Sequence, residues 1–129
     1  MDKVVHFEIP FDDKARATKF YADNFGWGMH DMGAEAGDYV LAQTAKTDAN
    51  HMVEETGAIN GALYSKMASK PLNAPIIVIQ VDSIEDTVKK IESSGGKLVT
   101  PAMPIPNGRY ARVTDSEGNI IGIVDAKKA

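Results

Sequence analysis

The sequence predicts an α+β fold in which two modules of the order strand–helix–strand–strand–strand (βαβββ) form a curved mixed sheet shaped as a trough. The same order of strand and helix patterns occurs twice. The two copies align at a nearly constant offset, 71 residues for His6 with Ile77 and 70 residues for Trp27 with Lys97. An internal repeat of this kind indicates a duplicated supersecondary unit. One helix per copy covers one face of a small twisted sheet, so the other face is left to line the trough.

The chain has 129 residues, which fits one domain. We expect module one to span residues 1–64, a linker 65–75 and module two 76–129. The linker assignment depends on two prolines, two lysines and little periodicity.

The composition excludes several classes of function. The net charge is −4 and the basic residues are scattered, which argues against nucleic-acid binding. Cysteine is absent, so disulfides, thiol nucleophiles and cysteine-bound zinc are excluded, and a reducing, cytoplasmic location is favoured. The N-terminal residues lack a long apolar stretch, and no run of about 18 apolar residues occurs, so neither a signal peptide nor a membrane association is expected.

Module one is predicted to begin with a strand over residues 4–10. Alternation places Val5, Phe7 and Ile9 in the core, and Val4, His6 and Glu8 on the opposite face. Asp12 or Asp13 caps a helix that runs to about Asn24 and ends before Gly26. The predicted buried face of this helix consists of Ala17, Phe20, Tyr21 and Phe25. Three strands are predicted to follow, at residues 27–31, 39–43 and 58–64.

Module two is predicted to repeat this order, beginning with a strand over residues 76–81 that is rich in β-branched side chains. Ser83 and Asp86 form a capping-box pattern at the start of a helix. Ile84, Val88 and Ile91 form its buried stripe, and Gly95-Gly96 ends it. The remaining strands are predicted at residues 97–100, 110–114 and 120–124.

Three segments carry a resemblance to a known family. They are Phe20-Tyr21-Ala22-Asp23-Asn24-Phe25-Gly26-Trp27, the opening Val81-Asp82-Ser83-Ile84 of module two, and the turn Asp115-Ser116-Glu117-Gly118-Asn119, with serine where proline is usual. In this order and spacing they resemble the vicinal oxygen chelate superfamily, which includes glyoxalase I, extradiol dioxygenases and bleomycin-binding proteins. The resemblance is greatest to its short members related to lactoylglutathione lyase. It implies a glyoxalase-like fold, a small-molecule ligand in the trough and a homodimer.

The same resemblance implies positions for a metal site, of which this chain keeps one. Metal-dependent members carry a histidine on the first strand of module one, a counterpart on the first strand of module two and Glu-type ligands late in each module. His6 matches the first position. The counterpart of His6 in module two is predicted to be Ile77, and the late ligand position of module two falls on Gly122. The last strand of module one offers only the amide of Asn60. We therefore expect no resident cofactor.

Six residues are predicted to line the ligand site: His6, Glu8, Ile77, Tyr110, Arg112 and Gly122. His6 and Glu8 share a strand face, and are either a general base with its orienting carboxylate or an ordinary polar pair. Tyr110 and Arg112 also share a face, so Arg112 holds an anionic ligand group if that face is concave and is solvated if it is convex. Ile77 and Gly122 are expected to make the centre of the trough apolar and roomy.

Two other histidines are weaker candidates. His51, Glu54 and Glu55 have the spacing of a helical metal site, against the alternative of solvated loop charges. His30 is expected on the surface.

The predicted function is the binding of a small molecule in the trough, with the family metal site largely lost. The alternative is a divergent glyoxalase-type lyase or isomerase that uses His6 and a divalent metal. A structural or regulatory domain without catalysis is the third reading.

Overall fold

The computed structural model describes residues 1–66 and 74–126 and contains two α-helices and eight strands within them. The elements are β1 Lys3–Phe11, α1 Lys14–Phe25, β2 Gly28–Asp31, β3 Val40–Gln43, β4 Gly61–Ser65, β5 Ile76–Gln80, α2 Ile84–Ser93, β6 Lys97–Ile105, β7 Gly108–Thr114 and β8 Ile120–Ala126. A single turn of 3-10 helix, Ala34–Ala36, precedes β3. The predicted α+β class and the two βαβββ modules are confirmed.

The chain divides into two compact units, one drawn from His6–Pro75 and the other from Met1–Val5 with Ile76–Ala129. Strand order is β2-β3-β4-β1 in module one and β5-β8-β7-β6 in module two. The β1–β4 and β5–β8 pairs are parallel, and the other pairs within each module are antiparallel. Each module therefore has a mixed four-stranded sheet with the same topology.

The helix of module one begins and ends where the sequence predicts. The carboxylate of Asp13 accepts a hydrogen bond from the backbone N–H of Arg16 at 2.9 Å, which satisfies one of the free donors of the first turn. Gly26 adopts a left-handed conformation with φ 72° and donates its N–H to the carbonyl of Ala22. The core of the module lies between α1 and the sheet. It comprises Phe11, Val40 and Leu63, with Ile9, Ala17, Tyr21 and Met29 packed against them.

The predicted buried face of α1 is wrong at two residues. Phe20 and Phe25 are 53% and 60% exposed. Ala17 and Tyr21, four residues apart, already fill the stripe that faces the sheet, so the other two rings lie beside it. They contact aromatic neighbours instead: Phe25 lies 5.9 Å from Trp27, which stacks on Tyr21 with centroids 5.0 Å apart.

The predicted stripe of α2 is confirmed. The core of module two comprises Val81, Ile84, Val88, Ala111, Val113 and Ile123, with Ile79, Ile91 and Ile121 packed against them. The hydroxyl of Ser83 accepts from the N–H of Asp86 at 3.2 Å and caps the helix. After the last turn, Gly96 donates its N–H to the carbonyl of Ile91.

A buried carboxylate ties the start of α2 to the sheet. Asp125 on β8 is 4% exposed and accepts from the N–H of Ile84 at 3.0 Å and from Nε of Arg109 at 3.1 Å. Arg109 also pairs with Glu85 in the first turn of the helix. The hydrogen bond from Arg109 holds the pKa of Asp125 below its usual value, and Arg109 lowers the pKa of Glu85 to about 2.

Strand β6 is five residues longer than the predicted 97–100. It contains Pro101 and Pro104, which have no backbone N–H to donate to a strand ladder. Among the described strands, β6 lies at the end of its module's order and pairs with β7 alone, so a missing N–H can point away from the ladder. Register shifts between Leu98 and Met103 accommodate the interruption.

Part of the predicted linker 65–75 lies outside the described residues, which exclude 67–73 and 127–129. Within the described ranges, neither helix has the length and apolar character that crossing a membrane requires.

Candidate functional site

Each sheet has a side opposite the one on which its helix packs, which we call the helix-free face. In β1, Ile9 and Phe11 pack in the core beneath α1. Because successive side chains alternate, His6 and Glu8 lie on the helix-free face. Glu8 pairs with Ala62 on β4, and paired residues of neighbouring strands point to the same side, so Ala62 also lies on the helix-free face. His6 and Glu8 therefore lie on one face of β1, as predicted.

A chain of side-chain hydrogen bonds joins His6 and Glu8 through Tyr39. The hydroxyl of Tyr39 donates to Oε2 of Glu8 at 2.9 Å, and Nε2 of His6 lies 3.0 Å from the same hydroxyl. Glu8 is only 2% exposed, whereas His6 is half-buried. The two residues are thus linked by a third side chain more than 30 positions along the chain.

The imidazole of His6 has a second hydrogen-bond partner, the backbone of Asn60. Burial lowers the pKa of His6 below its usual value, although the negative charge of Glu8 and a hydrogen bond with the backbone of Asn60 act in the opposite direction. The net effect favours the neutral ring. A neutral imidazole on this face can accept a proton, as a general base does.

Tyr39 is the site residue that the sequence prediction left out of its ligand-site set. It lies directly before β3, because the observed strand begins one residue later than the strand predicted over 39–43. Strand alternation relates residues on one strand only, so it cannot show that a tyrosine 31 positions away reaches Glu8.

In module two, Tyr110 and Arg112 lie on the helix-free face. Their neighbours on β7, Ala111 and Val113, pack in the core beneath α2. Arg112 therefore lies on the side of the sheet opposite α2. Nε of Arg112 donates to the hydroxyl of Tyr110 at 2.8 Å, and its guanidinium carbon lies 5.5 Å from the centre of the Tyr110 ring.

Gly122 lies opposite Arg112 on one side and Val78 on the other. A Cβ at Gly122 would lie 2.8 Å from the hydroxyl oxygen of Tyr110, 2.9 Å from its Cε2 and 3.0 Å from Cγ2 of Val78. The space is therefore filled by the Tyr110 ring. The expectation that Gly122 makes this region roomy is corrected accordingly.

Ile77 lies on the opposite side of its strand from the other module-two candidates. Ile79 packs beneath α2, so Ile77, two residues earlier, shares the helix side, and it is 47% exposed. The pairing of His6 with Ile77 used an offset of 71 residues, whereas the helix caps Asp13 and Ser83 give 70. The structural counterpart of His6 is accordingly Ile76, which also lacks a metal donor.

The residues present do not fit the metal site of the family. The parallel registers make Ala62 the counterpart of Gly122, so both late ligand positions lack a donor side chain. Asn60, the remaining oxygen donor, uses its side chain to accept from the N–H groups of Thr44 and Ala45 at 2.8 and 3.0 Å. Across residues 1–66 and 74–126, no three His, Asp or Glu side chains are grouped as a metal ion requires.

The weaker histidine candidates stay apart from this region. His30 on β2 is exposed, as expected. His51 occupies a left-handed turn with φ 62° and donates its N–H to the carbonyl of Asp48. Because the segment is a turn, the helical spacing proposed for His51, Glu54 and Glu55 does not form.

The chain matches the Glyoxalase/Bleomycin resistance protein/Dioxygenase superfamily over residues 3–123. It belongs to this superfamily, which confirms the resemblance carried by the aromatic segment and the turn at Asp115.

Among curated proteins, it is 28% identical over 129 residues to "Putative glyoxylase CFP32" of Mycobacterium bovis, with 94% of this chain and 44% of that protein covered. The chain thus spans less than half the length of this relative. It is also 28% identical over 118 residues to a glyoxylase-like domain-containing protein of Didymella fabae, with 87% of this chain and 84% of that protein covered.

Solved structures show the same fold. Methylmalonyl-CoA epimerase from Mycobacterium tuberculosis has a TM-score of 0.63 at 17% identity, with 97% of this chain and 88% of that chain covered. A superfamily member from Vibrio splendidus has a TM-score of 0.63 at 12% identity, with coverage of 97% and 99%. At these identities the likeness concerns the fold alone.

Proposed function

We propose that the protein binds a small molecule on its helix-free faces without the chelated metal of its family. The observation that carries this proposal is that the positions of the family's metal ligands late in each module have no donor side chain. Ala62 and Gly122 have no donor atoms, and the Tyr110 ring fills the space beside Gly122. Tight binding of a divalent ion requires about three protein ligands, and His6 alone provides one.

The side chains on these faces favour a ligand with an acidic or hydrogen-bonding group and a flat apolar part. The bond from Arg112 to Tyr110 fixes the orientation of the guanidinium plane. A planar cation in a fixed orientation suits recognition of a carboxylate or phosphate group. The Tyr110 ring beside it offers an aromatic surface for stacking.

A second candidate function is a divergent lyase or isomerase that uses His6 with a divalent metal. The hydrogen-bonded chain from His6 through Tyr39 to Glu8 favours it, because a histidine held in place by such a chain can serve as a general base. A homologous fold also serves catalysis: one solved neighbour is a methylmalonyl-CoA epimerase in complex with methylmalonyl-CoA. The missing ligands count against the metal in this candidate.

We further infer a cytoplasmic homodimer. The absence of cysteine supports a reducing compartment. Sedimentation of the purified chain tests the dimer, and a monomer at all concentrations contradicts it.

The first experiment is elemental analysis of untagged protein after incubation with Ni, Zn, Mn, Co and Fe and desalting. We expect no stoichiometric metal. About one metal per chain that is lost in His6→Ala would overturn the proposal and support the lyase or isomerase.

The second experiment is a thermal-shift screen with small carboxylates and aromatic acids. A ligand at about 100 times its Kd stabilises the folded state by about 2.7 kcal/mol, a readily measured shift. We expect the shift to be lost in Arg112→Gln and kept in Arg16→Gln, which removes an exposed positive charge from α1. Equal loss in both variants would show that only net charge matters.

A further inference from the structure

We propose that the space between α2 and the sheet of module two binds a small aliphatic amine. The site lies on the helix side of this sheet, opposite the helix-free face, so it goes beyond the function proposed above. It is a cavity of about 380 Å³, which is within the range of small-molecule sites. Its described lining belongs to one compact unit, the unit that joins Met1–Val5 to module two.

The walls of this cavity are aliphatic. Val113 and Ile123 are each 2% exposed, whereas Ile79, Ile91 and Ile121 are only partly buried and keep surface that a ligand can cover. Covering such surface with an apolar chain removes it from water, which is favourable. Within the described lining there is no aromatic ring on which a flat ligand could stack. The walls therefore favour an aliphatic ligand.

The hydroxyl groups in the lining offer oxygen atoms to a ligand and not hydrogens. Thr87 donates its hydroxyl to a backbone carbonyl one turn earlier at 2.8 Å, and Ser116 donates to Oε2 of Glu117 at 3.0 Å. The hydroxyl of Ser94 donates to a carbonyl in the last turn of α2. A hydroxyl carries one hydrogen, so these three groups can only accept a further hydrogen bond. The polar end of the ligand must accordingly be a donor.

The charges that line the cavity are negative. Asp2 and Asp115 belong to the lining, whereas lysine, arginine and histidine are absent from its described part. Hydrogen bonds from Asn119 lower the pKa of Asp115 below its usual value, so its carboxylate is ionised at neutral pH. Ser94 and Gly96 place the lining at the C-terminal end of α2, where a helix carries a partial negative charge. A cation that donates hydrogen bonds fits both conditions, and an ammonium group is such a cation.

The test compares n-hexylamine, n-hexanol and n-hexanoate, three probes of similar length whose end groups are positive, neutral and negative at pH 7. Methyl NMR of the full chain with labelled isoleucine reports where each probe binds. We expect n-hexylamine to shift the signals of Ile79, Ile91 and Ile121, and to leave Ile9, in the core of module one, unchanged. n-Hexanol should bind more weakly, and n-hexanoate should not shift these three signals.

Asp2→Asn is the variant that tests the charge. It removes one of the two carboxylates of the lining at an exposed position, so the fold should be unaffected. We expect binding of n-hexylamine to weaken about two- to fivefold, as for a partly solvated ion pair. Glu92→Gln is the matched control, because it removes an exposed negative charge from α2 outside the described lining. The affinity of this control should equal that of the wild type.

The proposal is overturned if n-hexylamine leaves the three isoleucine signals unchanged, or if n-hexanoate shifts them as strongly. It is also overturned if the two variants weaken binding equally, since general attraction to a negatively charged protein would then explain the binding. The probes report on the helix side of the sheet, whereas the proposed function concerns an acidic ligand on the helix-free faces. Either proposal can therefore fail without the other.

Discussion

Gly122→Ala should destabilise the fold by about 1–3 kcal/mol, the usual cost of forcing an extra carbon into a packed site. The added methyl would meet Tyr110 and Val78 at 2.8–3.0 Å, closer than side-chain carbons normally approach. The Tyr110 ring cannot swing away freely, because its hydroxyl accepts from Arg112. Losing that hydrogen bond from a charged donor would itself cost about 1.5–3 kcal/mol.

Gly28→Ala is the matched control. Gly28 is also a strand glycine without a positive φ, but the atoms nearest to an added Cβ would lie 3.5 and 3.6 Å away, both in Gln43. We expect it to be neutral or slightly stabilising, since alanine restricts the unfolded chain. Urea unfolding followed by far-UV circular dichroism gives both free energies.

When Gly122→Ala is made in the Tyr110→Ala background, most of its cost should disappear. The double-mutant cycle should therefore show an interaction energy of about 0.5–3 kcal/mol between the two positions. If Gly122→Ala is as stable as Gly28→Ala, the space beside Gly122 is not filled and the reasoning is refuted.

Three further predictions concern stability. Ser83→Ala should cost about 1 kcal/mol in urea unfolding through loss of the α2 cap; no change would show that solvent caps the helix equally well. Asn60→Ala should cost about 1–3 kcal/mol, because two backbone donors after β3 lose their acceptor; an unchanged midpoint would contradict this. Arg109 lowers the pKa of Asp125, so the contribution of Asp125 is present above its usual pKa of about 3.9 and is lost as the pH falls through its folded value. Asp125→Asn should therefore flatten the acid limb of the stability profile below pH 4, and an unchanged limb would assign it to other carboxylates.

The helices and the repeat could be predicted from the sequence because their signals are local. Asp13, Ser83 and Gly26 act within one helical turn, and each is found in its expected role. The length of β6 could not be predicted this way. Among the described strands, β6 is paired on one side, which lets it accommodate its prolines, and that is a property of the sheet and not of the local sequence.

For the candidate site, strand alternation could predict only which residues of one strand share a face. That rule places His6 with Glu8 and Tyr110 with Arg112, but it depends on the correct phase. A shift of one residue moved Ile77 to the wrong face, because a period of two reverses every side chain. Tyr39 was missed for a different reason, since its link to Glu8 is a long-range contact.

The lack of a ligand side chain at Gly122 is tied to the packing around this residue. Gly122 carries no ligand, and its missing side chain is also what admits the ring of Tyr110. That ring in turn positions Arg112. A carboxylate restored at Gly122 alone would collide with Tyr110 before it could reach an ion, so the metal site cannot return by one substitution. The glycine, the tyrosine and the arginine pack as one unit, and this packing supports the proposal of recognition by charge and stacking.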